Sequence, residues 1–336
     1  MDCQKTPLIS FVVPAYNSSS TLPRLFASFQ RQSSSNFEII IVDDGSTDET
    51  LYLCNKYQTF FDARLKIIHE DNSGPFRARI TGVSFARGLY VAFVDSDDII
   101  SEEYVKVFET TFESLTAKPD LFVLDMVVEN VAKKKRITHT CPFEEGYLSW
   151  EQYGVCLING SLGFSALKVF AKRLFARIVF PSHNHSSMVF GEDLVLSMLL
   201  FSKEDTIYYV KKKLYFYILN KGGLSLRFGI NHLLSSCELI DEKVKFMQTI
   251  MGFTNERIVN EIVPSLFGFL KSANKVSKSE RKKAMAFFYG SYAFRTLFTT
   301  KKDLFRLFSL KEKAILRLVR IKWSVRIFLT TVFKIK

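Results

Sequence analysis

The first 130 residues alternate between short apolar runs suited to β-strands and longer runs with helical periodicity. Strand-like runs occupy residues 8–13, 37–42, 65–68, 90–94 and 121–128. Between them, helices are predicted at about 22–29, 48–58, 76–87 and 101–115, where apolar residues recur on one helical face or follow capping residues. This alternation is typical of a parallel sheet joined by right-handed crossovers. We therefore expect an α/β fold in this half of the chain.

After residue 130 the pattern loosens and then becomes mainly helical. The basic run Lys133–Arg136 indicates a solvated hairpin or an edge strand, and 206–219 is strand-like. Further helices are predicted at 149–158, after Val169, just after Gly191, and at about 230–252, 256–273, 279–298 and 303–333. We place the domain boundary near residue 225, which gives a first domain over 1–225 and a helical basic region over 226–336.

The basic charge of the chain lies near its C-terminal end. The net charge is +12, but residues 271–336 contain 18 Lys and Arg against 3 Asp and Glu, a net +15, and the rest carries −3. Between residues 304 and 333, apolar positions recur every three or four residues with basic residues between them. Such a helix suits the surface of an anionic bilayer. The alternative is a helical bundle, or a homo-oligomer, whose apolar stripe is packed away.

Other signals exclude several classes of protein. The first 17 residues lack the length and flanks of a signal peptide. No window offers about 18 uncharged apolar residues, so no membrane-spanning helix is expected. The five cysteines form no CxxC pair and no zinc-like spacing with histidines, which favours a reducing compartment.

Three groups of carboxylates stand where this fold places its ligand-binding loops. They are Asp43 with Asp44, Asp95 with Asp97 and Asp98, and Glu192 with Asp193. In open parallel sheets the ligand crevice lies at the carboxyl ends of the strands. The first group is equally suited to capping a helix. The second brings three carboxylates to one strand end, where repulsion calls for a cation or hydrogen-bond donors, and hard oxygen ligands suit Mg²⁺ or Mn²⁺ on a diphosphate.

Four segments, in this order, resemble the motifs of family-2 glycosyltransferases of the GT-A fold. They cover residues 9–17, 38–50, 72–98 and 191–200. Residues 166–181 also resemble the acceptor-side segment of bacterial polysaccharide members. The resemblance extends over about 7–227. It implies a Rossmann-like, mixed but mostly parallel sheet flanked by helices, with the mainly helical region following it.

The resemblance also implies a binding site for a UDP-sugar donor. The nucleobase pocket would be lined by Pro14, Ala15 and Tyr16. Either Asp43 or Asp44 would contact the uracil imide or the ribose. Arg79 matches an arginine of the donor pocket, although Ile80 stands where the family commonly has Asn.

The same resemblance implies catalytic roles for the remaining carboxylates. Asp95 and Asp97 match the Asp-x-Asp motif around Ser96, with Asp95 and Ser96 on the donor and Asp97 on the Mn²⁺ or Mg²⁺ that bridges the phosphates. Asp193 matches the base, with Glu192 beside it. A divalent cation stabilises a leaving diphosphate without proton transfer, and a carboxylate accepts the proton of the attacking hydroxyl. A single base implies in-line displacement with inversion.

The implied acceptor is a hydroxyl of a glycan or lipid-linked glycan of the capsule, O-antigen or lipooligosaccharide type. We expect a cytoplasmic enzyme, peripheral on the inner membrane. Lys221, Ser225 and Arg227 are candidate phosphate contacts or part of a plain linker.

Competing functions fit the sequence less well. A sugar-nucleotide nucleotidyltransferase should carry a Gly-rich basic loop after the first strand, where residues 14–17 read Pro-Ala-Tyr-Asn. The pI of 9.3 suggests a nucleic-acid-binding protein, but no recognised module is present, so no nucleic acid is expected. A receiver-like phospho-switch would need an acceptor Asp on its third strand, which ends in His69-Glu70-Asp71.

Overall fold

The structure, a computed structural model, describes residues 6–131, 133–178, 188–219 and 229–297. Their packing groups the described residues into two compact units. One contains those of Met1–Ser187 and Leu199–Gly223, and the other those of Met188–Met198 and Leu224–Lys336. The predicted domain boundary near residue 225 lies outside the described residues.

Strands and helices alternate through the first part of the chain, as expected. The elements are β1 (Ile9–Ala15), α1 (Leu22–Gln30), β2 (Phe37–Asp44), α2 (Thr50–Phe61), β3 (Leu65–Glu70), α3 (Pro75–Phe85), β4 (Tyr90–Phe93), β5 (Ile99–Ile100), α4 (Tyr104–Ser114) and β6 (Leu121–Asn130). β2 is buried along its whole length. Helices cover both faces of such strands, which is why they read as continuous apolar runs.

The next part of the chain adds shorter strands and two helices. They are β7 (Lys135–His139), β8 (Gly146–Leu148), α5 (Trp150–Asn159), β9 (Lys168–Ala171), α6 (Glu192–Leu200) and β10 (Ile207–Ile218). The basic run is confirmed as part of an edge hairpin, because β7 is fully exposed and pairs antiparallel with β6. The helix expected after Val169 is the six-residue 3₁₀ helix Lys172–Arg177, which follows β9. Val169 itself lies in β9, which is buried between β4 and β6.

The described strands form one mixed sheet in the order β3-β2-β1-β4-β9-β6-β10-β5, with β7 beside β6 and β8 beside β10. β1 pairs in parallel with β2 and β4, and β2 with β3. β9 runs antiparallel to both β4 and β6, and β10 is parallel to β6. The carboxyl ends of β1, β2, β3, β4, β6 and β10 therefore share one edge.

Two local features fix the positions of these strands. Gly82 lets α3 lie closely on the sheet, since a Cβ there would come within 2.4 Å of the Val12 side chain. In β10, the register against β6 shifts after Val210, so that Tyr215 lies opposite Met126. Between these two points β10 contains three more residues than β6, and a β-bulge accommodates them.

The second unit is mainly helical within its described residues. After the start of α6 it contains α7 (Ile230–Thr249), α8 (Asn255–Ser272), α9 (Lys278–Gly290) and α10 (Tyr292–Leu297). The single helix expected over 279–298 is therefore wrong, because α9 ends at Gly290 and α10 begins after Ser291. A capping box of Ser277 and Glu280 begins α9. In the part of the chain that is described, no helix is long and apolar enough to cross a bilayer. The helix predicted at 303–333 lies outside the described residues.

Candidate active site

The candidate site lies at the carboxyl edge of the sheet, around β1 and its two neighbours. The strand order reverses at β1, because the chain first builds outward to β2 and β3 and then returns to β4 on the other side. Reversal points of this kind open a crevice for ligands. The loops after β1, β2 and β4 carry most of the predicted donor residues.

The loop after β1 is tied to the loop after β2. The Asn17 side-chain oxygen accepts from the Thr47 amide at 2.8 Å, and the Asn17 amide donates to the Ser46 hydroxyl at 2.9 Å. Asn17 has a φ of 49°, a left-handed conformation that asparagine tolerates better than most residues. Of the three residues predicted to line a nucleobase pocket, Ala15 is buried, Pro14 is half-buried and Tyr16 is exposed.

Asp43 is buried and paired with a histidine that the sequence analysis did not assign to the site. Its Oδ2 lies 2.7 Å from Nδ1 of His69, and its Oδ1 accepts from the Ser46 amide at 3.2 Å. The partner lies directly across from it in the register of β2 and β3. A strand-end histidine opposite a strand-end aspartate becomes visible only once that register is known.

Asp44 holds the turn that begins α3. Its Oδ1 accepts from the Ser73 amide at 2.6 Å and its Oδ2 from the Gly74 amide at 2.9 Å, while Asn72 donates to its backbone carbonyl. Asp44 therefore anchors the loop that leads into α3. Contact of Asp43 or Asp44 with a nucleobase or ribose stays a prediction.

Arg79 and Asp95 form an ion pair between α3 and the end of β4. Nη2 of Arg79 lies 2.8 Å from Oδ1 of Asp95, with the arginine side chain 4% exposed and the aspartate 30% exposed. A mostly buried guanidinium fixes the carboxylate it contacts, because neither charge has full access to water. The predicted donor residues Arg79 and Asp95 are therefore brought together.

Ser96 and Asp97 belong to the same turn and are half-buried. The Ser96 hydroxyl lies 2.7 Å from that of Ser18, which joins the loops after β4 and β1. Arg24 on α1 donates to the backbone carbonyl of Asp97. The backbone beneath the predicted metal ligand is thus held from two sides.

Asp98, the third carboxylate of the run, is buried and accepts hydrogen bonds within the protein. The Tyr215 hydroxyl donates to its Oδ2 at 2.6 Å and the Ile218 amide to its Oδ1 at 2.8 Å. The amide of Asp95 in turn donates to the Tyr215 hydroxyl oxygen at 3.1 Å. Burial, reinforced by the charges of Asp95 and Asp97, raises the pKa of Asp98 well above its ordinary value. Tyr215 was not predicted from the sequence.

The donor set fits a cation held mainly by a bound diphosphate. Within the described residues, no group of three or more His, Cys, Asp or Glu side chains could hold a metal ion by itself. Asp95 and Asp97 nevertheless offer two half-buried carboxylates at one strand end. Mg²⁺ usually binds one or two protein carboxylates together with substrate phosphates and water.

Glu192 and Asp193 form the first turn of α6, in the second unit. Both are half-buried, and the Ser197 hydroxyl donates to the backbone carbonyl of Asp193. Gly191 precedes them with a φ of 78°. Their placement opposite the donor residues stays a prediction. Lys221, Ser225 and Arg227 lie outside the described residues.

Comparison with known proteins finds similarity to glycosyltransferases. Residues 10–164 match the model of glycosyl transferase family 2. The glycosyltransferase GlyA of Streptococcus pneumoniae is 28% identical over 261 residues, which cover 74% of this chain and 36% of GlyA. The putative glycosyltransferase EpsH of Bacillus subtilis is 28% identical over 247 residues, 73% of this chain and 70% of EpsH. The match thus spans about a third of the length of GlyA.

Solved structures agree in fold. The crystal structure of TarS 1–349 from Staphylococcus aureus in complex with UDP aligns with a TM-score of 0.64 at 22% identity, over 94% of this chain and 87% of that one. The strand-end carboxylates, the family match and this structural likeness agree: residues 10–164 match glycosyl transferase family 2, and the chain has a GT-A fold.

Proposed function

We propose that this protein is an inverting glycosyltransferase that moves a sugar from a UDP-sugar to a hydroxyl of a growing surface glycan. The observation that carries the proposal is the turn after β4, where Asp95 and Asp97 are half-buried and Asp95 is ion-paired with the Arg79 guanidinium. Structures of the related TarS in complex with UDP and with UDP-GlcNAc support a UDP-sugar as the donor.

On the donor side, Asp97 is the residue that would hold Mn²⁺ or Mg²⁺, with Asp95 and Ser96 toward the donor. Bound there, the cation would stabilise the negative charge that develops on the departing diphosphate. Arg79 orients Asp95 through their ion pair. Tyr16, with 47% of its surface exposed, offers a ring for the nucleobase beside Pro14 and Ala15.

On the acceptor side, Asp193 is proposed as the base that accepts the hydroxyl proton, with Glu192 beside it. Attack from the side opposite the diphosphate inverts the configuration at the anomeric carbon, and no second nucleophilic carboxylate is needed. Two acidic residues in the first turn of a helix are electrostatically favourable, because the N-terminal end of the helix dipole is positive.

The proposed acceptor is a glycan or lipid-linked glycan, and the proposed location is the cytoplasmic face of the inner membrane. The net charge of +15 over residues 271–336 supports contact with an anionic membrane surface. Association of subunits through the C-terminal helices is the alternative use of that region. TarS is described as a poly(ribitol-phosphate) beta-N-acetylglucosaminyltransferase, which supports an acceptor of the surface-polymer class.

The substitution Asp97→Ala tests the donor site. It removes the proposed cation ligand but leaves the backbone contacts of the turn, so UDP should no longer bind in a Mn²⁺-dependent way while the protein stays folded. Titration calorimetry with UDP and Mn²⁺ measures this, and Glu113→Ala, an exposed position on α4, is the control. Unchanged cation-dependent binding in Asp97→Ala would refute the assignment.

A screen of UDP-sugars with Mn²⁺ identifies the donor without an acceptor, through slow hydrolysis or a thermal shift. Release of UDP supports a glycosyltransferase. Conversion to UTP in the presence of pyrophosphate would instead indicate a nucleotidyltransferase and overturn the proposal.

A further inference from the structure

Register pairing aligns side chains on one face of three adjacent strands of the first unit. β10 lies beside β6, and the second half of β6 lies beside β7. Side chains two residues apart on a strand share a face. Two neighbouring rows therefore cross this face, the first formed by Tyr215, Met126 and His139 and the second by Tyr217, Val128 and Ile137.

Three aromatic rings gather on this face, and two of them are exposed to solvent. The Phe164 ring centroid lies 6.1 Å from that of Tyr217 and 6.0 Å from that of His139. Phe164 is 36% exposed and Ile137 49%, His139 is exposed, and Tyr217 is half-buried. We call Phe164, Tyr217 and His139 the aromatic platform.

Strand β10 links the aromatic platform to the turn after β4 through the buried Tyr215. Tyr215 lies in the row next to Tyr217, and its hydroxyl contacts both Asp98 and the amide of Asp95. Ile218, which follows Tyr217, donates its amide to Asp98. The strand that carries Tyr217 is thus hydrogen-bonded, on both sides of that residue, to the turn after β4.

The loop that carries Phe164 is held in place by a buried lysine. Lys168 on β9 has no exposed surface, and its Nζ donates to the carbonyls of Leu162 at 2.5 Å and Phe164 at 2.7 Å. A buried ammonium is costly unless hydrogen bonds compensate it. Its bonds to two loop carbonyls fix the backbone of Phe164, so the ring is preorganised.

The chemistry of this surface suits a sugar ring. A saccharide has an apolar face of C–H groups, which an aromatic ring covers, and hydroxyls at its rim, which an imidazole can hydrogen-bond. The exposed edge strand β7 carries Lys135 and Arg136, and charged side chains on an edge strand disfavour pairing with a further strand. We propose that the aromatic platform binds the acceptor saccharide beside the donor; this rests on the proposed function.

Saturation-transfer NMR with methyl β-glycosides of glucose, galactose and N-acetylglucosamine, recorded with UDP and Mn²⁺, tests the platform. The wild-type protein should transfer saturation to the ring C–H protons of at least one glycoside. Phe164→Ala and His139→Ala should each raise its Kd about tenfold, the loss expected on truncating an aromatic contact. Phe164→Tyr should retain binding. Tyr52→Ala is the matched control, because that aromatic is 66% exposed on α2, away from the platform residues in sequence.

Hydrolysis of the UDP-sugar by the control Tyr52→Ala should match that of wild type, which checks that the substitution itself does not disturb the donor site. Equal glycoside binding by wild type, Phe164→Ala and His139→Ala would overturn the platform, and so would the lack of any signal from wild type. The protein could also bind glycosides through the platform but neither bind UDP nor hydrolyse UDP-sugars. That result would overturn the proposed function and leave the platform as a saccharide-binding site. His139 is exposed and serves as the readout if Phe164→Ala fails to fold.

Discussion

Four of the five aspartates at the ends of strands β2 and β4 divide into two kinds of residue. Asp44 and Asp98 are buried and accept hydrogen bonds from backbone amides or from Tyr215. Asp95 and Asp97 are half-buried at the edge of the sheet. The sequence run Asp-Ser-Asp-Asp gives no sign of this division, because the partner of Asp98 lies 117 residues away. The resemblance could predict the cluster but not which member anchors the turn.

The anchoring role of Tyr215 predicts the effect of Tyr215→Phe. The substitution removes the hydroxyl that donates to Asp98 and accepts from the Asp95 amide. Leaving a buried carboxylate oxygen without its donor should lower the free energy of unfolding by about 1–3 kcal/mol. Urea unfolding measures this, with Tyr52→Phe as the exposed control. Equal stability of the two variants would contradict the anchoring role.

The proposed base predicts the kinetics of Asp193→Asn. Asparagine keeps the size of the side chain but cannot accept the proton, so kcat should fall by about 10²-fold or more. Donor affinity should hardly change, since the residue is not assigned to the donor. Rates of UDP release and calorimetry with UDP separate the two quantities. Near-normal turnover would place the base elsewhere, with Glu192 as the next residue to test.

At the scale of elements, periodicity predicted β1, β2 and the four-residue β4, but it did not predict the equally short β9. β1 and β2 are seven and eight residues of buried, mainly apolar chain, so their pattern is sufficient. β9 has four residues, Lys-Val-Phe-Ala, and is buried because β4 and β6 flank it. A run of that length fits a buried strand or a helix equally well. Its state is decided by tertiary pairing, which local sequence does not carry.

Helix α7 contains a carboxylate whose burial predicts a pH dependence of stability. Oε2 of Glu238 is buried and has no hydrogen-bond partner among the residues described. Burial, followed by the charges of Asp241 and Glu242, raises the pKa of Glu238 from 4.5 to about 7. The folded state therefore favours protonated Glu238. The resulting contribution to the free energy of unfolding is complete at pH values below the pKa of this residue in the unfolded chain, and it is lost as the pH rises through its pKa in the folded protein.

We accordingly expect Glu238→Gln to melt at a higher temperature than wild type at pH 8 and to lose this advantage near pH 4. Scanning calorimetry across that range measures the difference. Glu261→Gln, at an exposed position on α8, should follow the wild-type profile. A constant difference between Glu238→Gln and wild type at every pH would argue against titration of Glu238.

At the scale of the whole molecule, the uneven charge predicts how the protein meets membranes. Each Lys or Arg near an anionic membrane surface contributes about 1 kcal/mol to the free energy of binding, and salt weakens this contribution. Full-length protein should co-sediment with anionic vesicles at low ionic strength and leave them at high salt. A chain ending near residue 300 should stay in solution and still bind UDP, because the assigned donor residues precede residue 228. Loss of a dimer on truncation, without vesicle binding by the full chain, would indicate a subunit interface instead.

The family and the fold were predictable from the sequence because the motifs follow one another along the chain. The platform was not, because Phe164, Tyr217 and His139 come from three separate segments that only the sheet brings together. The same holds for the pair of Asp43 and His69, which meet across two strands.

The bulge in β10 also bears on how this strand can evolve. Between Val210 and Tyr215, β10 contains three more residues than the part of β6 with which it pairs. Because three is an odd number, the odd-numbered residues of β10 lie on one face of the sheet before the bulge and on the other face after it. Exposed lysines such as Lys211 and Lys212 ordinarily tolerate insertion and deletion. Here a gain or loss of one residue would turn Tyr215 and Tyr217 to the opposite face of the sheet. Selection should therefore permit changes in the identity of these lysines but not in their number.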